Sequence, residues 1–244
     1  MYFHLVRKNI GIKPPWFTKT TDIYFDGYPR TGNTFLSHLL RNVLYNLESV
    51  HHLHSVGAIK IALIKKIPCY ILVRNPLDAI ASNYMKHYSS KKKGLPRQID
   101  TEILNEKLED YIRYYDYVLK NMNKLNIIEF QDLINNPLKI ITNISEDLDE
   151  KFDPIDFKYA LIYYYNDVEE LKKIPKDYKS KNKDGGKNTG GAKDKLGSSL
   201  PNSFKVKTKK ELSHCISQQQ RANVAKQIFS DILKEIEIKP RTRV

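Results

Sequence analysis

The chain has 244 residues, 41% of them hydrophobic, which is enough to bury one substantial core. Its two cysteines, Cys69 and Cys215, are too few for a disulfide framework or a cysteine-based zinc site. Lysine and arginine outnumber aspartate and glutamate 41 to 28, a formal charge of +13 that favours anionic partners without saying which. The longest apolar runs, such as Ile59 to Ile64, fall far short of the roughly 20 residues that cross a bilayer. Met1 to Lys8 also lacks the basic-then-apolar order of a signal peptide. The expectation is one domain over residues 1–244, cytoplasmic and without a membrane span.

In chain order, Asp22-Ile23-Tyr24-Phe25-Asp26 is β-branched and aromatic and runs into a Gly27-Tyr28-Pro29 turn, which predicts a strand feeding a loop. From Asn33 the period changes. Phe35, Leu36, Leu39, Leu40, Val43, Leu44 and Leu47 recur at helical spacing, so the loop opens a helix with one buried face. Cys69 to Val73 is a continuous apolar run of the kind parallel strands show when both faces are covered. Arg74 ends it. Asn75 as N-cap, Pro76 at the first helical position and Asp78 in the first turn predict a helix to about Tyr88. After a basic break from Lys91 to Pro96, the spacing of Ile103, Leu104, Leu108, Tyr111, Tyr115 and Val118 predicts a long amphipathic helix. Asn126 to Phe130 reads as a short third strand, followed by helical patterns over Leu138 to Leu148, Phe157 to Leu171 and Ser217 to Ile236.

This alternation predicts an α/β fold, a three-layer sandwich with a mostly parallel central sheet and a P-loop-like phosphate-binding loop. Ligands of such sheets bind outside the carboxyl ends of the strands, where Arg30 and Arg74 fall. Between Lys172 and Lys210, thirteen lysines face three acids. A solvated loop, a lid over a polyanion and a nucleic-acid contact all fit that charge, and residues 175–210 are expected to be a mobile basic loop.

Gly27-Tyr28-Pro29-Arg30-Thr31-Gly32-Asn33-Thr34 has the glycine spacing of a nucleoside-triphosphate loop, but Asn33 stands where such a loop carries lysine. Successive N–H groups and the following helix N-terminus still make an anion cradle. The lysine that reaches β- and γ-phosphates is missing, which argues against triphosphate hydrolysis, and a cation sits inside the loop instead, at Arg30. A tight turn without a ligand fits the same residues.

Tyr28 to Phe35 resembles the 5′-phosphosulfate loop of sulfotransferases that use 3′-phosphoadenosine 5′-phosphosulfate (PAPS), with Arg30 where that family normally has lysine. Arg74-Asn75-Pro76-Leu77-Asp78-Ala79-Ile80-Ala81-Ser82 resembles the family's 3′-phosphate motif, in which arginine and serine stand eight apart, as they do here. A third echo runs from Ile128 to Pro137, with Phe130 and Gln131 replacing the usual tyrosine and glutamate. The resemblance covers residues 23–137. The family's last loop, which closes on the 3′-phosphate, has its nearest counterpart in Lys187-Asn188-Thr189-Gly190-Gly191.

The resemblance implies PAPS as donor co-substrate, its desulfated product PAP, a hydroxyl (or amine) acceptor on a glycan, lipid or small molecule, and no metal. It implies that Thr31, Gly32, Asn33 and Thr34 cradle the 5′-phosphate and that Arg30 binds the sulfuryl end. It further implies that Phe35 stacks on adenine and that Arg74 and Ser82 hold the 3′-phosphate at the other end. Phe35 also fits the apolar stripe of its helix. Arg30 keeps the positive charge but cannot donate a proton at neutral pH. The family commonly supplies a histidine base between the first helix and the second strand, where this chain reads His51-His52-Leu53-His54. His54 matches best, His52 is the alternative, and Glu48 is the nearest acid. An exposed loop histidine, or a metal pair at His52 and His54 lacking further ligands, fits the same residues.

Two other classes compete. A P-loop nucleotide or sugar kinase calls for lysine after Gly32 and a metal-binding acid closing a later strand, whereas the second strand ends in Arg74. A basic nucleic-acid-binding protein draws on the charge and on 16 tyrosines, but those tyrosines mostly follow helical core positions. Nucleic acid is therefore not an expected partner.

Overall fold

Side chains alternate across a strand, so a strand covered on both faces must be apolar nearly throughout. The computed structural model describes residues 17–90, 99–165, 173 and 202–238. In it β1 (Ile23–Gly27) and β3 (Cys69–Val73) are buried at every position. With β2 (Ser49–Val50) and β4 (Asn126–Glu129) they form one all-parallel sheet in the order β2-β1-β3-β4. Asp26 lies beside Ile71, Gly27 beside Leu72, and Val73 beside Glu129, so β1, β3 and β4 end near one another at the carboxyl edge.

Helices cover both faces, giving the expected three-layer α/β arrangement. On one face Ile23, Phe25, Tyr70 and Leu72 pack against α1 (Asn33–Val43), α6 (Pro137–Asp147) and α7 (Pro154–Tyr165). On the other, Tyr24, Ile71 and Val73 pack against α2 (Val56–Ile64), α3 (Pro76–Ser90) and α4 (Thr101–Lys120), with α8 (Asn202–Ser217) and α9 (Gln220–Ile238) completing that layer. A short α5 (Phe130–Asn135) follows β4 directly. No helix among the described residues is long and apolar enough to cross a membrane.

Local signals act as the sequence predicts. The Asn75 side chain caps α3 by accepting from the Leu77 amide at 3.0 Å, and Asp100 caps α4 through the Ile103 amide at 3.1 Å. The differences also have causes. The helix after the first loop ends at Val43 rather than Leu47, because Leu44 leaves helical geometry while its side chain stays in the core. Phe130 opens α5 instead of closing the third strand. The Ser217 to Ile236 pattern is α9, which begins at Gln220, and a helix that was not expected, α8 from Asn202, takes up residues 202–210 of the stretch expected as a loop. From 175 to 201 the expected basic loop lies outside the described residues, as do Lys91 to Pro96 and the Lys187 to Gly191 counterpart.

The carboxyl edge is tied together by tyrosines four apart on α4, which places them on one helix face. The Tyr115 hydroxyl donates to the Leu72 carbonyl at 2.6 Å and accepts from the Tyr28 amide at 3.2 Å, while the Tyr111 hydroxyl donates to the Arg74 carbonyl at 2.8 Å. Tyr28 in turn donates to the Lys107 carbonyl at 3.0 Å. The loop after β1 and the turn after β3 are thereby held to the same helix.

Gly27 is where the first of these loops departs, and a side chain there has no room. A Cβ would stand 2.4 Å from the Leu72 carbonyl oxygen and 2.4 Å from the Thr31 hydroxyl. Gly27→Ala should therefore lower the unfolding free energy by about 2 kcal/mol or more, as overpacked sites do. Chemical denaturation of the two proteins checks it, and equal stability would mean that β1 and β3 do not approach this closely.

Candidate anion-binding site

The segment from Tyr28 to Gly32 turns with Arg30 and Gly32 both in left-handed conformations, φ 75° and 102°. Gly32 suits this because it lacks a Cβ. Thr31 is fully buried and locks the turn by donating to the Tyr28 carbonyl at 2.7 Å. Gly32 stands at the N-cap of α1 and offers no side chain to the first-turn amides. Those amides and the positive end of the helix make the turn a ready receptor for an anion. The Asn33 amide nitrogen donates to the Gly27 carbonyl at 3.4 Å, while its Oδ1 is buried and has no hydrogen-bond partner. Thr34 is exposed at the mouth, 3.4 Å from His52 Nε2.

The two arginines singled out in the sequence meet here. Arg74 donates from NH1 to the Arg30 carbonyl at 2.9 Å, and Arg30 donates from Nε to the Ser82 hydroxyl at 3.1 Å. The Arg30 side chain therefore lies with the Arg74 and Ser82 pair, not at an opposite end. The Arg74 guanidinium rests 4.1 Å above the Phe130 ring, and its Nε is buried without a partner. Burial above all, opposed by Asp78 and reinforced by Arg30, lowers the Arg74 pKa from its ordinary value. An arginine stays charged even so. A half-buried cation with an unmet donor beside a second cation is what an anion would satisfy.

Phe35 is not presented to the loop. It is 2% exposed, and its ring packs 4.5 Å from that of Tyr164 on α7. The apolar stripe and the motif both include this position, and in the structure the stripe governs it.

The three histidines separate sharply. His51 stacks on Phe25 with centroids 4.8 Å apart and lies 3.0 Å from the Ser37 hydroxyl. Burial, then repulsion from His52 and Arg41, pushes its pKa down to about 3, so the ring is neutral. His52 and His54 both adopt left-handed backbone conformations, φ 59° and 48°. Their rings stand 5.8 Å apart at right angles. The His54 Nδ1 lies 2.7 Å from the Gly27 carbonyl and 3.0 Å from Asp26 Oδ1. Glu48 lies away from these histidines. It precedes β2 at the amino edge of the sheet, where Thr20 donates to it at 2.6 Å.

Several residues of this site escaped the sequence reading: Asp26, Phe130 as the surface under Arg74, and the two α4 tyrosines. For Asp26 a signal was available, an acid inside an otherwise apolar strand. Burial, the largest influence, works to raise its pKa, yet the donors around it, led by His54, hold it below its ordinary value. Among the described residues no group of three His, Cys, Asp or Glu gathers as a metal would require.

No family model and no curated protein matches the chain. Among solved structures, a mouse sulfotransferase complexed with PAP aligns at 17% identity and a TM-score of 0.43. The alignment takes in 59% of this chain and 64% of the mouse chain.

The state of His51 makes stability depend on pH. Folded, the ring takes a proton only near pH 3, whereas the unfolded chain takes it at about 6.5. Its contribution is thus complete above about pH 6.5 and is lost as pH falls towards 3. His38, also buried and lowered, acts in the same sense. Between about pH 6 and 4, His51→Gln should flatten the fall of unfolding free energy by at most about 1.4 kcal/mol per pH unit, one proton's worth. Denaturation at several pH values gives the slope, and an unchanged slope would mean that His51 is protonated in the folded chain.

Proposed function

We propose that the chain transfers a sulfuryl group from PAPS to a hydroxyl acceptor. The reading rests on Arg74, a half-buried guanidinium at the carboxyl end of β3 with an unmet, buried Nε, beside Arg30 and in line with the 3′-phosphate motif it resembles. Taking a charge even partly out of water is costly unless it is paired, and the Arg30 carbonyl, the Phe130 face and the field of Asp78 offset that cost without meeting Nε. A phosphate dianion held by Arg74 and Ser82 through charge-assisted bonds offsets it.

In this reading Thr31, Gly32, Asn33 and Thr34, with the uncapped first turn of α1, receive the 5′-phosphate. Arg30 leaves Ser82 to meet the charge that develops on the sulfuryl and bridging oxygens during transfer. His54 takes the proton of the acceptor hydroxyl on Nε2, and His52, 3.4 Å from Thr34, lines the mouth. The acceptor oxygen bonds to sulfur as the bond between sulfur and the 5′-phosphate oxygen breaks, and that electron pair leaves with PAP. Phe35, covered by Tyr164, anchors α1.

Calorimetric titration with PAP tests the reading. The parent should bind it, and Arg74→Ala should bind about thirtyfold more weakly, the equivalent of about 2 kcal/mol for a charge-assisted contact. Arg30→Ala, which removes a group needed during transfer, should bind PAP nearly as well as the parent. The reading fails if PAP raises the melting temperature no more than ATP with magnesium does, or if Arg74→Ala binds PAP like the parent.

A further inference from the structure

We infer that Asp26 is the positioning carboxylate of the His54 base, fixing both the backbone and the tautomer of that residue. The inference rests on the sulfotransferase reading for the identity of the base, but its geometry is independent of it.

Asp26 is fully buried at the end of β1, where a carboxylate is tolerated only if its oxygens are met by donors. All its partners are donors. Oδ1 accepts from the Gly27 amide at 2.9 Å and faces His54 Nδ1 at 3.0 Å. Oδ2 accepts from the Leu53 amide at 2.8 Å, the His54 amide at 2.6 Å and the Tyr24 hydroxyl at 3.1 Å. An asparagine cannot replace this set, because its NH₂ group would face donors on one side. The donor set therefore calls for an ionised carboxylate at this position.

Two of those donors are the amides of Leu53 and His54, in a turn whose histidines at 52 and 54 both take left-handed conformations. Such conformations cost free energy in residues with a Cβ and persist where surrounding contacts over-determine them. The oxygen that clamps the His54 amide belongs to the carboxylate that meets its ring, so backbone and imidazole are oriented together.

The ring tautomer follows. His54 Nδ1 faces two acceptors, Asp26 Oδ1 and the Gly27 carbonyl at 2.7 Å, so it carries hydrogen. In the neutral ring the lone pair then lies on Nε2. As Nε2 takes the acceptor proton, the forming imidazolium is stabilised by the carboxylate behind it, the division of labour of an Asp–His pair in acyl transfer. Among the described residues, the titratable groups about the ring and its carboxylate are Asp26 and Tyr24 from β1, His51 and His52 from its own turn, and Tyr114 and Tyr115 from α4, both of which feel the Asp26 charge.

Nitrogen-15 NMR of the His54 ring in the protein without donor tests this, together with calorimetric binding of PAP. Above its titration the parent ring should be the Nδ1–H tautomer. Asp26→Asn should move the titration to lower pH by about one unit or more and mix the tautomers, with PAP affinity changed less than twofold. If that variant fails to fold, the parent tautomer decides alone. An Nε2–H ring in a parent that binds PAP overturns the role of Asp26 and leaves the donor reading standing, as does a titration unchanged in a folded Asp26→Asn. A parent that does not bind PAP overturns the donor reading, and the base role with it, whatever the tautomer.

Discussion

The carboxyl edge of the sheet is organised by how closely Gly27 lies against the Leu72 carbonyl, a separation that leaves no space for a Cβ. Because β1 can close on β3 there, the chain leaves the sheet directly over the neighbouring strand, and the Tyr115 hydroxyl can reach the Leu72 carbonyl and the Tyr28 amide at once. From that point Asp26 faces one way towards the histidine turn, and Arg30 faces the other towards Ser82 and Arg74. A strand end moved outward by the width of a methyl group would loosen the loop, the aspartate and the tyrosine hub together.

Of two charges at this edge, Asp26 is buried and Arg74 half-buried, and they are met in opposite ways. Asp26 is met by donors on both oxygens, so its cost of burial is offset inside the fold and its partners become fixed. Arg74 is not so fully met. It has one bond to a carbonyl, the face of Phe130 and the field of Asp78, with Nε left over. A saturated buried charge suits a part that holds still. An unsaturated one suits a part that receives something, and a negative ligand gains most where the protein has already borne the desolvation of its partner.

Much of this was legible in the sequence wherever one residue pattern had one physical meaning. The strand, loop and helix from Ile23 to Val43 were, because a β-branched and aromatic run gives way to a 3.6-residue period at a glycine-flanked turn. So was Arg74 at the end of a strand apolar on both faces. What was hidden had two meanings or none. Val56 to Ile64 forms a helix, but its apolar residues surround it rather than making a stripe. Ser49 and Val50 are too few to alternate. Phe35 satisfied motif and core at once, and the core took it. Among His51, His52 and His54 the sequence offers spacing alone, whereas their roles depend on which ring is buried and which backbone turns left-handed.

That last property separates the site from the rest of the chain. Five residues other than glycine have positive φ among those described: Arg30, His52, His54, Lys66 and Asp149. Lys66 and Asp149 lie at ordinary turns after helices, where a left-handed residue ends the hydrogen-bonded spiral, as the Lys66 amide bond to Leu63 and the Asp149 amide bond to Glu146 illustrate. Arg30, His52 and His54 end no helix. Each instead sits beside a fixed partner: Ser82 for the Arg30 side chain, Thr34 for the His52 ring, and Asp26 for His54. Asparagine, aspartate and histidine tolerate this conformation best after glycine, so of the three Arg30 is the least usual occupant. In each case the left-handed backbone sits beside a contact that holds it, and the three residues gather at the mouth of one turn.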